Sequence, residues 1–372
     1  MKNIWIDGIE ANVKDRLGSN QVAFELLKNL AEIDKKNSYT IILANEPFSD
    51  LPKEREGWQY KILKIKKLKN ILGIPLELKL TKIKPDVYFS PSHYLPRFSK
   101  VKKVATIFDL AFLHFPKLFT KTDLIKLTTW TKYSIQNSNH LITISNFSKK
   151  DIIKNYNFPK EKITVAYPGH NFSIFKVIKD QNKILQIKNK YKVSGDFIIF
   201  IGTIQPRKNL IRLIESFKNI DNLKLVIVGK SFGEGREGWM FEDILNKPRQ
   251  LLIEGKIIFT GFIPDEELAL LLNGAKAFIL PSLYEGFGIP VVDAMACGIP
   301  VIVSNVSSLP EIVGNAGLLV DPYSSDQIEQ AIRTLAWDKK INLKLSKAGI
   351  KQAQKFSWKK MAKKVKEVLE TV

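Results

Sequence analysis

Apolar positions along the chain recur in two alternating modes. Short continuous runs of Val, Ile, Leu, Phe and Tyr stand at 2–7, 39–43, 87–90, 104–108, 140–144 and 162–166, and again at 197–201, 223–228, 256–260, 277–280 and 300–304. Runs of this length, rich in β-branched and aromatic residues, predict strands. Between several of them the spacing changes to a helical one. After the first run, a turn around Gly18 leads to Val22, Leu26, Leu27 and Leu30, which share one face of a helix. Strands alternating with helices predict a parallel sheet with covering helices.

The pattern restarts after a polar, Lys/Asn-rich interval at 176–194. The expectation is therefore two α/β domains, 1–178 and 179–355. A closing segment, 356–372, carries an amphipathic Lys-rich helix that packs on the first domain or crosses back to it. A length of 372 residues suits two domains, at roughly 100 to 200 residues each.

Composition narrows the class. With 45% hydrophobic and 26% charged residues and a single cysteine, Cys297, the chain is neither disordered nor a disulfide scaffold. No Cys/His cluster has metal spacing. No apolar run approaches the roughly 18 to 20 residues that span a bilayer, and Asp7 and Glu10 interrupt the only stretch where a signal peptide could begin. A cytoplasmic protein is expected.

The formal charge is +21, which fits nucleic acid, an anionic membrane or a phosphorylated substrate. Residues 51–150 hold 20 basic and 6 acidic side chains, net +14, whereas 251–350 hold 7 and 11, net −4. Only 8 of the 58 basic residues are arginine, the residue suited to bidentate phosphate recognition. A solvated lysine surface and a functional one both remain open.

Two segments carry chemistry. Residues 202–209 read G-T-I-Q-P-R-K-N directly after an apolar strand and before a helix. Glycine at a strand end lets a ligand approach the backbone, and Arg207 and Lys208 add two cations where helix N–H groups begin, an arrangement suited to a diphosphate. A polar turn with solvated cations is the alternative. Residues 281–300 read P-S-L-Y-E-G-F-G-I-P-V-V-D-A-M-A-C-G-I-P. There Glu285 precedes a Gly-Phe-Gly turn, and Asp293 lies eight residues on. Two carboxylates able to accept from hydroxyls, flanking a glycine-rich turn, suit a sugar better than a base; a purely structural turn is the alternative.

Together, in this order and about 80 residues apart, the two segments resemble the donor-binding signatures of retaining glycosyltransferases of family 4. Asp293 stands at the second Glu of that family's E-x7-E motif. The stretches 304–322 and 142–148 add to the likeness, which spans nearly the whole chain. The resemblance implies a GT-B fold, α/β, in which two Rossmann-like domains with parallel sheets face each other across a cleft. It implies a nucleotide-sugar donor on the C-terminal side and an acceptor on the N-terminal side. By the same resemblance Lys208 is the phosphate-binding lysine, with Arg207 beside it where the commoner form has arginine at the position of Thr203. Gly202, Glu285 and the backbone of Gly286, Phe287 and Gly288 meet the sugar and phosphates, and Asp293 meets the ribose.

In the N-terminal half, Asp109 in T-I-F-D-L matches the family's I-H-D-L pattern, with Phe108 in place of the histidine. His93 and His114 are the candidates to serve the acceptor side instead. Gly18, with Ser19 and Asn20, occupies the turn where the family brings a Gly-rich loop to the diphosphate. The implied reaction is front-face transfer of a hexose, mannose favoured, with retention, from a GDP-sugar in preference to a UDP-sugar. The acceptor is a glycan or lipid-linked sugar of polysaccharide assembly. No cofactor is expected, and no D-x-D pair exists in the chain to bridge a metal to the diphosphate.

The mixture of cations and apolar residues at 61–72 suggests rest on the anionic inner membrane face, each Lys near the surface contributing about 1 kcal/mol; an exposed connection is the alternative. Two competing functions are a GT-B sugar-nucleotide epimerase and a nucleic-acid-binding protein. The second lacks any known nucleic-acid module, and no nucleic-acid partner is expected.

Overall fold

The computed structural model describes residues 1–230 and 241–372. The chain forms two compact units: Met1–His114, Lys121–Gly169 and Ser357–Val372 make the first, and Phe115–Thr120 with His170–Phe356 the second.

The first unit carries strands β1 (Asn3–Asp7), β2 (Ser38–Leu43), β3 (Trp58–Ile62), β4 (Val87–Ser90), β5 (Lys102–Ile107), β6 (His140–Thr143) and β7 (Ile163–Val165) in one sheet of order β3-β2-β1-β4-β5-β6-β7. Every pairing is parallel. Among the described residues the second unit holds β8 (Phe197–Ile201), β9 (Lys224–Val228), β10 (Ile257–Gly261), β11 (Ala277–Leu280), β12 (Val301–Ser304) and β13 (Gly317–Val320) in the order β10-β9-β8-β11-β12-β13, also parallel. Helices cover such sheets on both faces, so the central strands are apolar along their whole length. Phe197–Phe200 and Ala277–Leu280 are fully buried, which is why these runs were legible as strands.

Both sheets reverse direction next to their first strand, between β1 and β4 and between β8 and β11. At such a reversal the loops leaving the two strands run to opposite faces and open a crevice at the carboxyl ends, where ligands of doubly wound sheets bind. The segment after β8 and the segment after β11 are the two chemical motifs of the sequence.

Four features differ from expectation. The strands β3 and β13 were not marked by the sequence pattern; β3 is a sheet edge where the polar Gln59 and Lys61 interrupt the apolar run, and β13 is an edge strand of only four residues. The chain passes between units at Gly169/His170, ahead of the expected 178/179, because His170 and Phe175 are already buried in the second unit. The polar interval 176–194 contains the helix Gln181–Lys190, which buries Ile184, half-buries Ile187 and Lys188 and is otherwise exposed. Short stretch Phe115–Thr120 groups with the second unit, where Phe115 packs edge-on to Tyr284 at 6.2 Å.

The closing helix Trp358–Thr371 belongs to the first unit and lies against the helix Ser19–Ile33. It buries Met361, Ala362, Val365 and Leu369. Gly169 leaves no room for a side chain there: a Cβ would stand 2.1 Å from the Trp358 nitrogen. Leu369→Ala is expected to destabilise the first unit by about 2–5 kcal/mol, the cost of a core cavity, measured as a lowered midpoint in urea denaturation.

Candidate active site

The site in the second unit starts from two strand ends pressed together. Gly202 follows β8 and donates to the Val228 carbonyl at 2.9 Å, and Gly229 follows β9 with φ 152°. A Cβ on Gly229 would stand 1.9 Å from the Gly202 carbonyl oxygen, and one on Gly202 would stand 3.4 Å from Lys208 Cε. Glycine at both ends therefore permits the close approach and leaves space for the lysine stem.

Beyond Gly202 and Thr203 the chain makes a tight 3₁₀ turn, Pro206–Lys208, and Asn209 at φ 61° begins the helix Leu210–Ser216. The Asn209 amide donates to the Pro281 carbonyl at 3.0 Å and the Pro322 carbonyl at 2.6 Å, tying the loops after β8, β11 and β13 together. Leu283 N–H donates to the Arg207 carbonyl at 2.9 Å.

This backbone lacing sets the charges. Lys208 Nζ donates to Glu285 Oε1 at 2.6 Å. Arg207 Nη1 donates to Glu285 Oε2 at 3.3 Å and also to the Tyr284 carbonyl. All three side chains are largely buried. Burial raises the Glu285 carboxyl, but the Lys208 and Arg207 charges outweigh it and hold the group at about 2, below its ordinary 4.5. Glu285 is thus ionised at neutral pH and lies between the two cations.

The loop bearing Glu285 is fixed by two serines that sequence reasoning did not single out, although both lie in 304–322. Ser307 Oγ accepts from Glu285 N–H at 3.0 Å. Ser308 Oγ donates to the Glu285 and Phe287 carbonyls at 2.9 and 3.2 Å. The Phe287 ring is buried edge-on to Phe356 at 5.4 Å, so only its backbone is left for a ligand. Gly286 precedes it, and Gly288, at φ 99°, starts the helix Ile289–Ala296. Asp293 on that helix is buried, and its Oδ1 has no hydrogen-bond partner among the described residues. Burial, then the Asp265 charge, pushes this carboxyl well above the usual range. A ligand hydroxyl would satisfy such an atom.

The first unit gathers fewer groups. Asp109, just after β5, accepts from Ala111 N–H at 3.0 Å. His93 Nε2 accepts from Phe108 N–H at 3.0 Å, which places the proton on Nδ1, 3.2 Å from Thr131 Oγ1. Both ring nitrogens are thereby engaged, and the ring stacks on Phe108 at 5.6 Å. Burial depresses the His93 pKa, while Asp109 acts in the opposite sense. His114 Nε2 meets the Asp151 carboxylate at 2.9 Å. Gly18, at φ 54°, heads the helix Ser19–Ile33, and a Cβ there would meet nothing within 4 Å. That turn is open to a ligand's approach.

Residues 18–173 match the family model described as Glycosyltransferase Family 4, and residues 180–370 match Glycosyl transferases group 1. The chain belongs to the group 1, family 4 glycosyltransferases. The glycosyltransferase is 30% identical over 276 residues to the O-antigen chain mannosyltransferase B of Escherichia coli, covering 74% of this chain and 71% of that protein. It superposes on sucrose-phosphate synthase of Thermosynechococcus elongatus with a TM-score of 0.79 at 18% identity, over 100% of this chain and 99% of that one. On Anabaena Alr3699/HepE in complex with UDP-glucose the TM-score is 0.77 at 17% identity, over 100% of both chains. The fold of the enzyme is GT-B, with two Rossmann-like units.

The depressed Glu285 carboxyl gives the glycosyltransferase a signed pH dependence. Its folded value lies below the ordinary one, so the paired state contributes full stability above about pH 4.5, and that contribution is lost as pH falls toward 2. Thermal melts from neutral pH down through this window are expected to show a smaller acid loss for Glu285→Gln than for the wild type.

Proposed function

We propose that this glycosyltransferase moves a hexose, mannose in preference, from a GDP-sugar to a glycan or lipid-linked acceptor with retention of configuration. The observation that carries the proposal is the Lys208–Glu285–Arg207 cluster, at the crevice where the second sheet reverses. A departing diphosphate gains negative charge as the bond to C1 breaks, and two preorganised cations at a strand-end crevice are complementary to that charge and not to a neutral sugar. The acceptor oxygen forms the new bond to C1 on the face the diphosphate leaves, and its proton passes to the departing phosphate oxygen.

The remaining residues take roles consistent with their placement. Glu285 orients Lys208 and Arg207 and can accept from a sugar hydroxyl. Gly202, Thr203 and the backbone of Gly286, Phe287 and Gly288 line the approach to them. The unpaired Asp293 oxygen suits a ribose hydroxyl. In the first unit, Gly18 leaves an open turn for the diphosphate, and Asp109 is assigned a catalytic role with Arg207, Lys208 and Glu285. His93 and His114 are assigned to the acceptor side, where their ring nitrogens already bond within the protein and their part is to hold that surface in place. The mannose preference is supported by the name of the Escherichia coli relative, an O-antigen chain mannosyltransferase, which also supports a polysaccharide acceptor. That the Anabaena neighbour was solved with UDP-glucose supports a nucleotide-sugar donor and makes the base the point to test. Family membership favours neither the epimerase nor the nucleic-acid alternative.

Lys208→Ala is expected to lower turnover roughly 10²–10³-fold, the scale on which loss of one preorganised charge-stabilising group acts. Addition of EDTA is expected to leave wild-type turnover unchanged, because side chains, and not a metal, meet the diphosphate charge. In a thermal-shift series GDP-mannose is expected to stabilise the wild type, by about 2.7 kcal/mol at 100 times its dissociation constant, and not Lys208→Ala. A shift with UDP-sugars alone would overturn the choice of base, and turnover abolished by EDTA would overturn the metal-free mechanism.

A further inference from the structure

Arginine is scarce in this chain, and where it is half-buried it is usually bonded. Arg16 meets Asp50 and Arg207 meets Glu285, while Arg55 and Arg212 donate to backbone carbonyls. Arg97, also half-buried, is the exception. Its guanidinium makes no ion pair and no hydrogen bond among the described residues, and its Nε is buried. An enclosed charged donor ordinarily has an acceptor, because leaving it without one is costly. The missing acceptor is the mark of a ligand.

Arg97 is nonetheless fixed in position. Its Cζ stands 4.7 Å from the centroid of the Trp130 ring and 4.7 Å from that of Tyr133. Both rings come from the helix Lys121–Gln136, three residues apart and therefore neighbours on its surface. Stacking on ring faces holds the planar cation and leaves the N–H groups along its edge unengaged. The backbone is tied as well. Arg97 N–H donates to the Asn70 carbonyl at 2.7 Å, and Asn70 is itself buried with an Oδ1 that has no partner among the described residues. Earlier in the same loop, His93 Nδ1 lies 3.2 Å from Thr131 Oγ1, and Leu95 N–H donates to Ser134 Oγ at 3.0 Å. The loop is thus laced along one helix, and the guanidinium is oriented before a ligand arrives.

An aromatic surface adjoins it. Tyr94 packs edge-on to Trp130 at 6.2 Å, lies 6.5 Å from the His93 ring and has Lys126 Nζ 5.4 Å from its own ring centroid. Tyr94 and Trp130 are half-buried and Lys126 is exposed. Between Asp86 and Asp109 the chain has no carboxylate, and the helix has one, Asp123, two turns before Trp130. Aromatic faces carry negative potential, on which the C–H edges of a pyranose can lie. Two cations beside those faces complement an anionic substituent on the same ring. The loop 91–101 leaves the carboxyl end of β4, next to the reversal of the first sheet. The surface therefore continues outward from the crevice that holds His93.

We propose that Arg97, Lys126, Tyr94 and Trp130 form a subsite for an acidic saccharide, with its phosphate or carboxylate on the Arg97 fork and its sugar ring on the Tyr94 and Trp130 faces. The fork accepts either anion through two parallel N–H bonds. Lys126 adds charge without fixing direction, as an ammonium does. That the saccharide is the acceptor of the transfer rests on the proposed reaction; its binding here does not.

The test is fluorine NMR of the full chain labelled with fluorotryptophan, in which the signal missing from Trp130→Phe identifies Trp130 among the six tryptophans. Titration with mannose 6-phosphate and with glucuronate is expected to shift that signal, and mannose or inorganic phosphate at the same concentration is expected to shift it far less. Arg97→Gln is expected to weaken the mannose 6-phosphate response about 10- to 100-fold, the scale of a lost hydrogen bond to a charged group. Arg97→Lys, which keeps the charge and loses the fork, is expected to fall between that variant and the wild type. Tyr94→Ala is expected to weaken the response about 2- to 10-fold. The signal is local and no donor is added, so the outcome is independent of whether GDP-mannose stabilises the enzyme. A Trp130 signal in the wild type that neither acidic sugar moves would overturn the proposal, and it would leave Arg97 a structural stacking residue whatever its variants do to the melting temperature. Equal responses to mannose and mannose 6-phosphate would overturn the anion site, and equal responses to inorganic phosphate and mannose 6-phosphate would overturn the saccharide. Wild-type affinity in Arg97→Gln would overturn the assignment to Arg97.

Discussion

The second unit depends on keeping one buried carboxylate ionised. A buried charge without a partner is costly, and breaking such a pair typically costs about 3–5 kcal/mol. Glu285 escapes that cost because Lys208 and Arg207 come from a loop about 80 residues away and meet it from two sides. Their approach requires the loops after β8 and β11 to lie side by side. Asn209, Ser307 and Ser308 hold them there through backbone hydrogen bonds. The two cations are thereby held in a fixed arrangement by the fold itself and do not have to be assembled by a ligand.

That geometry follows from strand order. In a sheet ordered β10-β9-β8-β11-β12-β13, the reversal beside β8 leaves a gap between the loops that follow β8 and β11. The first unit has the same reversal between β1 and β4, and it places Gly18 and His93 on loops that leave those two strands. One folding rule thus prepares a carboxyl-end crevice in each unit, and the side chains then differentiate them. The second is charged and laced by serine and asparagine. The first has an open glycine turn, an aspartate and a histidine committed to the protein itself.

The lysine excess has a divided use. Some cations are spent on internal contacts, as at Glu77 and Asp7, and others remain exposed. Net charge alone does not separate these uses, because a paired and an unpaired lysine contribute equally to +21. The pairing geometry separates them: Lys61 and Lys69 meet Glu77 and Asp7, while Lys64 and Lys67 stay exposed, and Leu63 between them is buried.

The central strands, their alternation with helices and the two chemical segments were legible in the sequence, because strands buried on both sides must be apolar throughout, and a ligand-facing turn must carry glycine and charge locally. The edge strands β3 and β13 were not, since β3 alternates apolar with polar residues and β13 is only four residues long. Nor were the roles of Ser307, Ser308 and Asn209, whose partners lie between about 20 and 113 residues away. For Trp358–Thr371 the amphipathic pattern was legible, and the helix Ser19–Ile33 that it covers was not. Local composition determines which segments can be buried and which can bind. Only the tertiary structure decides which charges meet, because pairing across such separations depends on strand order and loop contact, and neither is encoded at the positions that pair.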